Sequence, residues 1–198
     1  MTITYSYGAN LYVNTTNRCD MHCDFCLRQI GDGVGEADSR WLEREPTREE
    51  IWADICKRDL SQFRELVFCG YGEPTYRLHD ILWVCDRVRE ASSIAIRMDT
   101  NGHGDLICGE DTAPLFKGRF DTVSISLNAR DKQTYDKRCA PDYENGYEAM
   151  LSFAREVRRY VPRVILSVVD CIPTDEIEDC RKICAEIGAE YRVRVFGS

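Results

Sequence analysis

Cys19, Cys23 and Cys26 place three thiols within eight residues, interleaved with the polar side chains Asp20, His22 and Asp24. At spacings of four and three they can meet at one point only if the backbone forms a loop, as cluster-binding segments do. A cubane iron-sulfur cluster takes four ligands and no fourth cysteine follows closely. One iron would therefore stay open to an exogenous group, and an open metal position implies chemistry rather than scaffolding. Zinc held by the three thiolates and His22 is the competing metal reading, weakened because His22 adjoins Cys23. Ordinary core packing is the third, and the interleaved polar residues make the stretch a poor core.

The elements around this loop alternate. Asn10 to Thr15 reads as a strand just before the cysteines, with Leu11 and Val13 on its apolar face. Gln29 to Pro46 is rich in glycine and acidic residues, with no apolar period, and reads either as a functional lid hinged at Gly31, Gly33 and Gly35 or as a surface loop. Thr47-Arg48-Glu49-Glu50 is a capping box that opens a helix. Strands follow at Glu65 to Cys69, Ile94 to Asp99, Thr122 to Leu127, Arg163 to Val169 and Tyr191 to Phe196, separated by helical stripes at Leu78 to Val88, Met150 to Val157 and Ile177 to Ile187. Six strands alternating with helical segments predict parallel β/α units.

The strand faces refine this. Val123, Ile125 and Leu127 oppose Ser124, Ser126 and Asn128; Ile96 and Met98 oppose Arg97 and Asp99; Val193 and Val195 oppose Arg192 and Arg194. A sheet covered on both faces would be apolar on both. The pattern predicts an incomplete barrel, apolar towards an outer helical ring and polar towards a lumen able to hold a charged cofactor. We expect a single compact α/β domain over residues 1–198.

Three further stretches bear on the site. Gly70-Tyr71-Gly72-Glu73-Pro74 combines glycines that admit a ligand to the backbone with a carboxylate suited to an ammonium. Asp99-Thr100-Asn101-Gly102 lies at a strand end and also reads as an Asx turn. Ser126, Asn128 and Ser167 are polar positions of lumen strands, equally readable as a solvated face. Cys85, Cys180 and Cys184 lie on apolar helix stripes and are assigned to the core, whereas Cys139 and Cys171 are left open.

The chain of 198 residues, 43% hydrophobic, can bury one full core. It shows neither a leader peptide nor an apolar run of membrane-spanning length. Its odd count of eleven cysteines argues against a disulfide scaffold and for a reducing, cytoplasmic setting. A formal charge of -8 argues against sequence-independent nucleic-acid binding. Arg155, Arg158, Arg159 and Arg163 form the densest basic patch and read mainly as a solvated helix face.

Cys-x3-Cys-x2-Cys with Phe25 before the third cysteine resembles the signature of the radical S-adenosylmethionine (SAM) superfamily. The resemblance implies a partial (β/α)6 barrel in which Cys19, Cys23 and Cys26 hold a [4Fe-4S] cluster while SAM's amino and carboxylate groups chelate the fourth iron. Gly72 and Glu73 match the family's Gly-Gly-Glu motif, from which Tyr71 departs at the first glycine. Asp99 and Asn101 match an equivalent motif of activases, Ser126 and Asn128 match positions that meet SAM's ribose or carboxylate, and Phe25 and Ser167 match surroundings of the adenine. The implied enzyme is oxygen-sensitive, takes an electron from a donor such as flavodoxin or ferredoxin, and abstracts hydrogen from a small-molecule or protein substrate. Within the superfamily the chain most resembles compact members, without an auxiliary-cluster extension: TatD-associated radical SAM proteins, whose name records an association with a hydrolase, then glycyl-radical-enzyme activases and 7-carboxy-7-deazaguanine synthase-like proteins. A non-catalytic iron-sulfur or zinc module is the alternative from another class.

Overall fold

The structure is a computed structural model and describes residues 1–29 and 39–196. Gly31, Gly33 and Gly35, the expected hinges, lie outside the described residues. Seven strands form one sheet in chain order: β1 (Thr4–Tyr7), β2 (Asn10–Val13), β3 (Glu65–Phe68), β4 (Ala95–Thr100), β5 (Thr122–Ser126), β6 (Arg163–Val169) and β7 (Glu190–Arg194). Neighbours from β2 to β7 pair in parallel. This is the six-stranded partial barrel expected from the alternation, with the additional strand β1 antiparallel on β2. β1 escapes a hydrophobic-pattern reading because tyrosine supplies its packing: the Tyr5 ring stacks on Tyr12 at 5.4 Å.

Helices α1 (Arg48–Ile55), α2 (Leu78–Ala91), α3 (Gly104–Cys108), α4 (Lys132–Cys139), α5 (Gly146–Val157) and α6 (Thr174–Ile187) connect the strands. α4 was not foreseen because it buries only Tyr135 and Cys139, one helical turn apart on an otherwise polar segment. Leu66, Phe68, Ile96, Met98, Val123 and Ile125 pack outward into the helical layer as fully buried core, together with Cys85, Cys180 and Cys184. In the basic patch Arg159 pairs with Glu156 and Arg163 with Glu190, while Arg158 donates to the Ile187 carbonyl. Protein partners thus occupy three of its four arginines.

The capping box forms as the sequence requires. Thr47 Oγ1 accepts from the Glu50 amide at 3.2 Å, and Glu50 Oε2 accepts from the Thr47 amide at 2.8 Å. Arg44 donates to both Glu50 oxygens, and these bonds pull the carboxyl down to about 2. Because the folded value lies below the unfolded one, the stabilisation holds above the ordinary carboxylate range and is lost as pH falls towards 2. The melting-temperature gap between wild type and Glu50→Gln should therefore shrink steadily on acidification through this window; a gap that stays constant would refute the assignment.

Candidate functional site

The segment after β2 brings Cys19, Cys23 and Cys26, all half-buried free thiols, to one wall of a cavity at the carboxyl ends of the strands. Phe25, Gly72, Glu73, Asp99, Asn101, Ser126, Asn128 and Ser167 line the same cavity. All eleven residues singled out by sequence are thus gathered around a single space. Among the described residues no three His, Cys, Asp or Glu side chains already stand as a metal-ready group. The Cys23 thiol instead hydrogen-bonds Cys139 on α4, and this contact, followed by burial, holds its proton more tightly than usual. Burial pushes the Cys19 thiol up to about 12. Metal ligation requires both protons to leave, so cluster loading should release protons.

The loop is fixed from below by residues that sequence reading missed. Asp20 is fully buried; its Oδ1 accepts from Asn101 Nδ2 at 2.7 Å and its Oδ2 lies 2.5 Å from His103 Nδ1. His103 Nε2 lies 3.0 Å from Tyr135 Oη, which also reaches Met21 Sδ at 3.8 Å. Burial alone would raise the Asp20 carboxyl, yet the His103 and Asn101 bonds outweigh it and hold it below the usual range. Backbone bonds from His22 to Cys139 and from Asp24 to Arg138 dock the same loop on the end of α4. The alternation of Asp20 with the cysteines was the available signal: a carboxylate there either faces solvent or is anchored.

Glu73 proves to be a clamp. Its carboxylate is buried and accepts from the Thr75 amide and hydroxyl, from Thr100 Oγ1 at 2.7 Å and from the Asn101 amide at 2.7 Å. Burial raises its pKa against these donors. Gly72 passes so close to the approach to the cysteine loop that a Cβ would sit 2.3 Å from the Thr16 carbonyl oxygen and 2.7 Å from that of Arg18. Both obstacles are backbone. Gly72→Ala should thus displace the motif from the loop and destabilise the protein by about 1–3 kcal/mol, the cost of overpacking. Urea denaturation checks this, and unchanged stability would contradict it.

Asp99 lies 3.3 Å from Arg97 Nε, within a charged group that includes Glu65 at 3.6 Å. Asn128 adopts φ 57 and its buried Oδ1 has no hydrogen-bond partner in the structure. Tyr71, at the place of the motif's first glycine, is buried under Arg40 and Trp41: the guanidinium lies 4.2 Å over its ring, and the Trp41 ring is 4.9 Å away. Asn14 and Asn17, just past β2, tie down the backbone of Arg40 and Leu42, so residues 39–42 form a strap beside the cavity.

Three free thiols and an orphaned buried amide oxygen around one space are a donor set that fits a cluster and a polar cofactor. The chain matches the Radical SAM superfamily model over residues 13–187 and belongs to that superfamily, whose members use a [4Fe-4S] cluster and SAM. It is an enzyme of this class. Among curated proteins it is 30% identical over 182 residues to the probable GTP 3',8-cyclase of Thermococcus kodakarensis, an alignment covering 90% of this chain and 54% of the relative. The GTP 3',8-cyclase of Corynebacterium glutamicum is 26% identical over 193 residues, with 92% and 48% covered. The chain spans about half the length of these curated relatives. Streptococcus suis SuiB, in a crystal structure bound to S-adenosylmethionine, superposes with a TM-score of 0.72 at 16% identity, over 98% of this chain and 42% of SuiB; the likeness is one of fold. No helix among the described residues is long and apolar enough to cross a membrane.

Proposed function

We propose that this chain cleaves SAM reductively and directs the resulting 5′-deoxyadenosyl radical to a hydrogen of a substrate held in the lumen. Cys19, Cys23 and Cys26 would hold the cluster. When bound, the cluster supplies the electron and an open iron for SAM's amino and carboxylate groups. The Gly70–Glu73 turn would meet the SAM ammonium through its backbone, since the Glu73 oxygens are already engaged by four donors. Ser126, Asn128 and Ser167 would offer polar contacts to the nucleoside, with Phe25 beside the adenine. Asn101 would act mainly through the two turns it ties together, and Asp99 through its charge in the lumen beside Arg97. The cavity shared by the cysteines and the polar strand ends is the observation that carries this reading.

Anaerobic reconstitution followed by reduction in the presence of SAM tests it. Formation of 5′-deoxyadenosine is expected, and a fully loaded protein that forms none would overturn the reading. The reaction needs an electron donor, for which flavodoxin and ferredoxin are the first candidates. GTP is the first substrate to try because the curated relatives carry it in their names. Association with a TatD-type hydrolase, and the action of residues 1–198 as one domain in a reducing cytoplasm, belong to the same proposal; co-purification tests the association.

A further inference from the structure

The polar lumen is unbalanced in charge. Arg40, Arg192 and Arg194 line the cavity. Cys69 and Asp99 line it with them. Asp99 is the nearby carboxylate; it forms an ion pair with Arg97, which also pairs with Glu65, and no hydrogen bond reaches its buried Oδ1. Glu73, the other cavity carboxylate, is saturated by its four donors.

The arginines are correspondingly underused. Arg40 is 8% exposed, yet among the described residues it meets only the neutral Tyr71, and its buried Nε has no hydrogen-bond partner. Arg194 likewise has a partnerless buried Nε, and its Nη2 reaches only Ser126 Oγ, at 3.5 Å. The Arg192 guanidinium lines the cavity with neither a hydrogen bond nor an ion pair among the described residues. Buried guanidinium groups are ordinarily matched by planar anions that accept two parallel bonds. Tyr71 explains how Arg40 is held: a side chain at the motif's first glycine position supplies the ring and hydroxyl that fix the guanidinium. A glycine there would supply neither.

We propose that Arg40 and Arg192, with Arg194, form a subsite for an anionic group of the substrate, a phosphate or a carboxylate, in the lumen beside SAM. This rests on the proposed radical SAM activity and specifies the substrate class.

The test uses cluster-loaded protein saturated with SAM, so that SAM's own carboxylate is already placed. Inorganic diphosphate and malonate are titrated separately by calorimetry, which distinguishes phosphate from carboxylate preference. Saturable binding of at least one is expected, weakening as ionic strength rises and roughly tenfold in Arg192→Gln, the change expected for loss of one charge-assisted bond. Arg40→Gln should do the same and Arg40→Lys should restore part of the affinity. SAM affinity should stay within about twofold in every variant, on the same scale. Arg192 is half-exposed on β7, so its variant tests the site even if Arg40→Gln fails to fold. Absence of saturable binding by either anion, equal binding by Arg192→Gln, or loss of SAM affinity instead would each overturn the proposal. The last result would mean that the arginines hold SAM's carboxylate. Measuring 5′-deoxyadenosine on the same preparation separates the two readings. SAM cleavage without anion binding removes the subsite alone; anion binding without SAM cleavage removes the proposed activity alone.

Discussion

Alanine in place of Cys23 is expected to abolish cluster binding, leaving iron and sulfide near background after anaerobic reconstitution and 5′-deoxyadenosine below detection. In the proposed site three thiolates are the whole protein share and one iron stays open, so losing one removes a ligand. Among the described residues two further thiols lie near: Cys69, which lines the same cavity after β3 and outside the cysteine loop, and Cys139, to which Cys23 hydrogen-bonds. Cys139, however, is fully buried on α4 and does not line the cavity. Cys139→Ala should therefore keep the cluster, its cost limited to core packing. Equal iron content in Cys23→Ala and wild type would remove Cys23 from the ligand set. Iron retained in Cys23→Ala but lost in the double variant would show instead that Cys139 takes over.

The second large effect concerns Asp20. Asp20→Ala should destabilise the cluster-free protein by about 3–5 kcal/mol, because it leaves His103 and Asn101 facing an uncompensated gap in a fully buried network. Asp20→Asn should cost less than half as much. An amide oxygen can still accept from Asn101, and a change of His103 tautomer lets Nδ1 accept while Nε2 donates to Tyr135. Urea denaturation of the two variants measures the difference. The network also fixes the cysteine loop, so iron retention should follow the same order. Equal stabilities for both variants would mean that the carboxylate makes no special contribution.

The strand order and the contents of the lumen were legible because alternation places every second side chain on one face, and that arithmetic survives in any β/α barrel. Ser124, Ser126, Asn128, Arg192 and Arg194 all reach the cavity as their faces require. The supports of the site were not legible. Asp20, His103 and Tyr135 come from three segments far apart in the chain and meet only after folding. Asn101 was placed correctly at the cavity, but its amide is committed to Asp20, a partner no local pattern names. Glu73 was read as a carboxylate suited to an ammonium, and nothing local named the four donors it accepts from. Tyr71 read only as a departure from a glycine motif, and its packing against Arg40 and Trp41 had no sequence signal. Tertiary hydrogen bonds of this kind leave no periodic trace.

The end of β4 supports both halves of the site. Thr100 and Asn101 donate to Glu73 in the Gly70–Glu73 turn, while Asn101 and His103 bind Asp20 in the cysteine loop. Thermal displacement of that strand end therefore moves both turns in the same direction, as a common-mode disturbance that largely cancels in the distance between them. In the proposed reaction the separation of the cysteine loop from the Gly70–Glu73 turn is what matters, not where the pair sits within the barrel. A single shared anchor thus gives positional tolerance to the whole and tight registration to the parts.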